Sequence, residues 1–530
     1  MPSLSRPSLL LLSLALTTLA PPAASDEDEP AGNGLRLSLP AEQLMAIDPF
    51  AREPVGEETL SLEEAVARAL EGNRGLRAER LQTAIAGTFE AQERAVFDPE
   101  LFAEVEVSRD QSVRLLEEAE EDTDEVTSTR RFGEAGVRQS LPTGTDLSLS
   151  VRSQRASSSR VDQTQFSSRA GLTLTQALLR GGRIESNLVR LQQAGLDVEA
   201  TEYEVRAFVE QLITDVETAY WDLVLAGKQI QIFEEALAVA SQQLDETQRR
   251  INAGDRPETE AVSARAEVAL RRQGLIDARS ERARAQDTLA RLIQGDGGLW
   301  DTRLLTSSEP ALDRYEIEPL DTYVALARDH RADLNETRLR VQRDELEVIR
   351  TRDGLLPRLD FFVTLGQSGY ADSFGRAFHD AQGDGYDLAA GLRFEMPIGN
   401  RAAEAEHTRA RLTRQQISET LANLEQLAIE DVRAVWFDAA RIREQIRAQE
   451  ETIELQEELL RVEQTRYRVG AGTALAVAQA QRDLLESRLR LTETVVRFRQ
   501  LTTELLNASG TLLLHRGIDA PGSERVNLRM

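Results

Sequence analysis

Residues 205–251 dictate what this chain can become. Val209, Val216, Leu223, Ile230, Leu237, Leu244 and Ile251 recur every seventh residue, and Val205, Leu212, Ala219, Ala226, Phe233 and Ala240 supply the second apolar row of a heptad. No proline interrupts the run, so the spacing predicts a helix from Ile184 to Asn252, about 100 Å long. A rod of that length cannot hide its seam inside a small globule; it needs other helices of similar reach. The chain provides them. Val432, Ala439, Ile446, Ile453, Leu460 and Tyr467 repeat Val216 to Ile251 with an offset of 216 residues.

Length alone (530 residues) would suggest several domains, but this duplication points instead to two copies of one plan. Charged residues make up 29% and aromatics 5%, a composition suited to long solvated helices. A formal net charge of −27 speaks against nucleic acid as a partner, because phosphate binding needs an excess of Lys and Arg. Residues 1–25 read as a signal peptide: Arg6, an apolar core from Leu9 to Ala20, then Ala-Ala-Ser. The mature chain is thus expected to be exported, yet it has no cysteine for a disulfide or a thiol-linked lipid. No run of about 20 apolar residues follows that could span a membrane as a helix.

Residues 26–58 are acidic and broken by Pro30, Pro40, Pro49 and Pro54, which predicts a flexible lead segment. The first repeat is expected over 59–294. Ser61 and Glu64 form a capping box that opens a short helical pair reaching about Ala95, with a break near Gly72–Gly75. Strand patterns follow. Leu101, Ala103, Val105 and Val107 alternate with Phe102, Glu104, Glu106 and Ser108, and Leu147, Leu149 and Val151, and Leu172 and Leu174, alternate with polar residues; the polar stretch 110–130 reads as a long loop. Pro142-Thr143-Gly144 is a tight turn, and QALLRGGR (176–183) releases the chain into the long helix. Gly254 stops that helix, Pro257 suits the next first turn, and the chain runs back to about Gln294.

Residues 295–319 read as a connector, and 320–510 as the second repeat: short helix, strands over Leu359–Leu365 and Leu388–Met396, a long helix, a reversal at YRVGAGT (467–473), and a return helix carrying Val477, Leu484, Leu491, Phe498 and Leu505. Residues 511–530 read as a C-terminal tail.

Strands with one apolar face, at the end of a rod and with nothing to cover them, suit a membrane barrel. Four strands per chain, or six if the Pro142 hairpin lies in the membrane, cannot close one alone, and open edges are not tolerated in lipid. Three copies of four strands would give about twelve. The expected fold class is therefore mainly α with membrane β: long antiparallel coiled-coil helices plus amphipathic strands, internally duplicated.

This plan resembles the outer membrane efflux protein family, the TolC-like channels, on LSLEEAVARALEGN (60–73), QALLRGGR (176–183), RINAG (250–254) and YRVGAGT (467–473), in that order and duplicated. The resemblance implies a homotrimer with a shared β-barrel in the outer membrane of a Gram-negative envelope and a helical tunnel in the periplasm. It implies a passive duct that a periplasmic adaptor and an inner-membrane pump complete, for efflux or type I secretion. It also implies that the helix tips form the closed mouth and the adaptor-docking surface: Ala253, Gly254, Asp255 and Arg256 in one tip, and Val469, Gly470, Ala471, Gly472 and Thr473 in the other. Tyr467, matching a family tyrosine, and Glu260, an acidic position of the first tip, are the expected gate residues; Tyr467 also fits a plain heptad core position. Where some relatives carry an acidic ring after the second tip, this chain has Ala476 and Gln479.

No catalytic grouping emerges. His330, His379, His407 and His515 are scattered without metal-ligand spacing, and the Gly-containing turns lack a phosphate-loop pattern. No cofactor, metal or enzymatic activity is expected. The rival reading is a soluble periplasmic coiled-coil scaffold or adaptor, which would show one helical hairpin instead of two equivalent ones.

Overall fold

The computed structural model describes residues 56–115, 123–159, 161–254, 257–295, 298–300, 302–310, 317–373, 376–377 and 385–528. The expected signal peptide and His379 lie outside them, as does the lead segment up to residue 55.

Two pairs of long antiparallel helices form the shaft. Helix α4 (Val189–Asn252) returns as α5 (Thr259–Ile293), and α8 (Arg401–Arg468) returns as α9 (Ala474–Ala508). At about 1.5 Å per residue, the 64 residues of α4 and the 68 of α8 each extend close to 100 Å. A short helix α3 (Ile184–Asn187) precedes α4, so the predicted single helix from Ile184 is interrupted once, at Leu188. The heptad seam is where the shaft is tight: Val209, Val216, Leu223, Val432, Ala439, Ile446, Phe498 and Leu505 are all buried. Helix α4 contacts α5 on one flank and α9 on the other, and α9 contacts α8. The lower shaft is thus a file in the order α5, α4, α9, α8.

Nearer the sheet the file changes membership. Helices α1 (Leu62–Gly72) and α2 (Arg74–Ala95) open the first repeat, and α6 (Leu320–His330) and α7 (Ala332–Asp353) open the second. Ser61 caps α1: its hydroxyl accepts from the Glu64 amide at 3.1 Å while the Glu64 carboxylate accepts from the Ser61 amide at 2.9 Å. Here the file runs α2, α4, α7, α8. Halfway down, α1 packs on α4 and α6 on α8, and with the short helix α10 (Leu512–Arg516) they bury Leu60, Leu76, Ile213, Tyr220, Leu289 and Leu512 in one core.

That belt also holds a parallel strand pair absent from the sequence reading: β1 (Gly56–Leu60) with β6 (Thr302–Thr306). Residues 56–58, read as the end of the loose lead, and 302–306, read as connector, are therefore ordered against each other. The Tyr220 hydroxyl donates to the Leu60 carbonyl at 3.0 Å and accepts from the Ser308 amide at 3.0 Å, fastening the pair to α4. The tail differs too. Beyond α10, the Tyr203 hydroxyl donates to the Glu524 carbonyl, and Asn335 and Gln342 bond the backbone of Val526 and Asn527, so this segment lies along α4 and α7.

Six strands form one antiparallel sheet in the order β2 (Glu100–Leu115), β3 (Thr123–Leu141), β4 (Thr145–Ser158), β5 (Val161–Ala177), β7 (Arg358–Ala371), β8 (Tyr386–Glu395). The predicted loop at 110–130 is shorter than expected, because β2 and β3 stay paired from Glu100–Arg138 out to Leu115–Thr123. The Pro142 hairpin contributes β3 and β4 to this same sheet, which therefore holds six strands and not four.

Its turn abuts the strand-to-helix exit. Asn187 donates to both the Pro142 and Gly181 carbonyls, at 3.0 and 2.7 Å, and Gln176 donates to the Thr143 carbonyl at 2.9 Å. Gly144 has φ +75°, and a Cβ there would fall 2.1 Å from the Gly181 carbonyl oxygen. Gly144→Ala is expected to cost at least about 2 kcal/mol from the left-handed φ and the overlap together. The yield of heat-resistant assembled protein should fall accordingly; wild-type yield and stability would refute this account of the turn.

Candidate functional site

The two tips are built alike. Gly254 and Gly470, 216 positions apart, both adopt φ +81° just beyond α4 and α8, a conformation glycine takes without strain. Ala253 and Val469 close the last helical turns by donating to the Arg249 and Thr465 carbonyls. In the second tip the chain doubles back sharply: the Ala471 amide donates to the Arg466 carbonyl at 2.8 Å, and Thr473 caps α9 through the Ala476 amide. Gly472 passes so close to Arg466 that a Cβ would sit 3.2 Å from its backbone carbonyl carbon. In the first tip Asp255 and Arg256 lie outside the described residues. Leaving those two aside, the tip positions Ala253, Gly254, Val469, Gly470, Ala471, Gly472 and Thr473 all lie at this end of the shaft. Val469 is exposed.

Tyr467 and Glu260 meet. The tyrosine ring is buried between the hairpins, and its hydroxyl donates to Oε2 of Glu260 at 3.5 Å, joining the end of α8 to the start of α5. The Arg250 guanidinium lies over the same ring, 5.3 Å from its centre, and is itself held by Glu246 at 2.5 Å. Tyr467 is thus both a heptad core residue and a polar tie. Three long helices, α4, α5 and α8, converge on one side chain, so a change at Tyr467 reaches both hairpins. Sequence reading named Tyr467 and Glu260 but missed Arg250; its signal was the cation one heptad-neighbour before Ile251, on the face turned to the second hairpin.

Farther up, the belt holds buried charge that periodicity did not reveal. Glu217, fully buried in α4, accepts both guanidinium donors of Arg516 at 2.7 and 2.6 Å and the Thr503 hydroxyl at 2.5 Å. Glu210, one heptad earlier, sits beside Arg206 in a cleft of about 860 Å³ that Asp215, Arg331, Asp333 and Asp431 also line. Burial pushes the Glu210 carboxyl up to about 7; Asp333 adds to the shift, while Arg206 and Arg331 oppose it.

The folded protein therefore holds a proton that the unfolded chain has released above pH 4.5, and stability falls as pH rises from about 4.5 through 7. Glu210→Gln should remove that slope. Comparing unfolding temperatures of wild type and variant across pH 5–8, the variant is expected to gain on the wild type toward pH 8. Parallel curves would refute it.

The sheet supplies the remaining functional surface. One face is apolar across all six strands in register: Leu101 and Val105 of β2, Val137 of β3, Leu149 of β4, Leu172 of β5, Leu365 of β7 and Leu388 of β8. It is bare in the single chain, with Leu101 81% and Val105 83% exposed. The opposite face is polar and internally paired: Arg138 with Glu100, Arg152 with Glu134 and Arg169 with Asp387. It carries one device twice. Phe102 lies over Gly136 beneath Arg138, and Phe362 lies over Gly391 beneath Arg393. No helix among the described residues is long and apolar enough to cross a membrane.

The family model described as outer membrane efflux protein matches residues 65–295 and 323–511. Among solved structures the chain is similar to CusC, with 19% identity, TM-score 0.63, and coverage of 85% of this chain and 92% of that one. It is also similar to the outer membrane protein VceC from Vibrio cholerae (18% identity, TM-score 0.61, coverage 85% and 96%). A third is the MtrE outer membrane channel of Neisseria gonorrhoeae in its open state (18% identity, TM-score 0.59, coverage 85% and 89%). A comparison with curated protein sequences finds no match.

Proposed function

Because the chain belongs to the outer membrane efflux protein family, we propose that three copies of it form the exit duct of a tripartite efflux pump or a type I secretion system. It is an outer-membrane protein whose helical shaft stands in the periplasm. The observation that carries the reading is the bare apolar face running unbroken across β2 to β8. In water such a face would drive aggregation; in a bilayer it is the required surface.

The flanks of the helical file support assembly with further copies. Val262, Leu270 and Ile276 stay exposed on α5, at one edge of the lower file, and Leu455, Leu459 and Val462 on α8, at the other. Nearer the sheet, Leu81, Ile85 and Phe89 stay exposed on α2 and Leu412 on α8. In a ring each α8 flank meets the α5 and α2 flanks of the next copy, and both apolar stripes leave water.

The tips are the gate. Tyr467, Glu260 and Arg250 hold the hairpins together at the mouth, and an adaptor protein docks on Ala253, Gly254, Asp255 and Arg256 and on Val469, Gly470, Ala471, Gly472 and Thr473. Docking frees the Tyr467 tie, and the hairpins spread. Transport through the open duct is passive, and an inner-membrane pump supplies the energy. Fractionation of cells, followed by affinity capture in mild detergent, tests this. A heat-sensitive trimer in the outer membrane that brings down an adaptor and a pump is expected. A monomer in the soluble periplasmic fraction would refute it.

A further inference from the structure

The hairpin formed by β3 and β4 is a structural part of the wall. It sits inside the sheet, between β2 and β5, and its apolar residues Val137, Leu147, Leu149 and Val151 continue the same lipid-facing band. Its turn is bonded to the strand-to-helix exit through Asn187 and Gln176. Removing it from the wall would break two ladders and leave β2 without a partner.

The widths of the two halves of the molecule agree only if the hairpin is counted. The four helices α2, α4, α7 and α8 that meet the sheet span about 32–40 Å at ordinary packing distances. Strands about 4.8 Å apart and tilted about 40° each take up about 6.3 Å of circumference. Six of them span about 38 Å; four would span about 25 Å. Six strands therefore continue the helical wall at its own width, whereas four would force it to narrow.

The two open edges complement each other. Strands β2 and β8 run in opposite directions, so β8 of one copy can pair with β2 of the next as an ordinary antiparallel neighbour. On the polar face of β2, Glu104 stands directly opposite Glu134, and Glu134 is already taken by Arg152 at 2.5 Å. Like charges facing each other across a ladder repel, so Glu104 and the adjacent Glu106 call for a cation from the open side. The polar face of β8 carries Arg393, resting on the Phe362 ring.

We infer that three copies close a barrel of eighteen strands, six from each, with Glu104 and Glu106 of one copy facing Arg393 of the next at every seam. The inference rests on the outer-membrane trimer proposed above. Such a barrel is about 36 Å across its backbone, against about 24 Å for twelve strands at the same tilt. The membrane passage is then as wide as the helical tunnel. Size selection is left to the periplasmic tips, and the duct suits bulky cargo of polypeptide dimensions as well as small solutes.

Electron microscopy of the detergent-solubilised protein tests the count. Three-fold particles with eighteen strands and a barrel near 36 Å are expected. Three-fold particles with twelve strands, and the 123–158 hairpin outside the wall, would overturn this inference and leave the channel reading standing. Particles with no shared barrel would overturn both. The seam is tested separately: Glu104→Arg and Arg393→Glu should each lower the heat-resistant trimer several-fold, and the double exchange should restore it to within about two-fold. Inert single exchanges, or a double that restores nothing, would overturn the seam pairing.

Discussion

Tyr467→Phe is expected to make the closed channel leak. The substitution keeps the ring against Arg250 and removes only the hydroxyl that reaches Glu260. A hydrogen bond of this kind contributes about 0.5–1.5 kcal/mol, and this one is long. In a trimer three such ties hold one mouth. If the hairpins move together, their loss sums to about 1.5–4.5 kcal/mol and raises the open population roughly 10- to 1,000-fold. Single-channel recordings in planar bilayers give the direct readout, with more frequent full openings in the variant. Sensitivity of cells to a large hydrophilic antibiotic gives the indirect one. Glu260→Gln should shift the population the same way but less, because an amide still accepts from the hydroxyl. If both variants close as tightly as the wild type, the mouth is held elsewhere and the gate role fails.

Arg516→Ala is expected to destabilise the belt by about 3–5 kcal/mol, because it leaves the Glu217 carboxylate buried without its cation. The loss should appear as a lower unfolding temperature and as release of the segment beyond Ala508 to protease. The control separates an unpaired charge from lost packing: Glu217→Leu combined with Arg516→Leu should recover most of the stability. A double variant as unstable as the single would show that packing around α10, and not the charge, is what the belt needs.

Much of the shaft could be read from local pattern. A seven-residue repeat is a short-range signal, and Val209, Val216 and Leu223 are buried where the spacing puts them. The turns at Gly254 and Gly470 were legible for the same reason. Strand extent was not. Alternation marks only the part of a strand with one apolar face; beyond Val107 and before Arg130, β2 and β3 are mostly polar, with Val113, Leu115 and Val126 too sparse to set a period, so paired residues looked like loop. The pairing of Gly56–Leu60 with Thr302–Thr306 was invisible because five-residue strands separated by 246 positions carry no periodic signal.

Within the candidate site, Tyr467 and Glu260 were found through a family resemblance, since Tyr467 by spacing alone is one more heptad residue. Glu210 and Glu217 directly follow the heptad residues Val209 and Val216, and nothing in that spacing marks them as buried. Only the wrapping of α10 and the neighbouring helices around α4 turns them inward, and no local rule announces that.

The bond between Glu217 and Arg516 joins residues 299 positions apart, one in the long helix of the first repeat and the other beyond the end of the second. Synthesis runs from the first residue onward, so α4 is made long before Arg516. Over the 299 positions that separate the two, α4 carries a carboxylate whose cation has not yet been added. A chain broken anywhere before Arg516 never receives it, and its belt stays open. A hollow cylinder with one faulty stave would be a hole in the cell's outer barrier. With the keystone so late in the polypeptide, a fragment that ends before Arg516 is expected to lack the stability that the proposed ring asks of each copy.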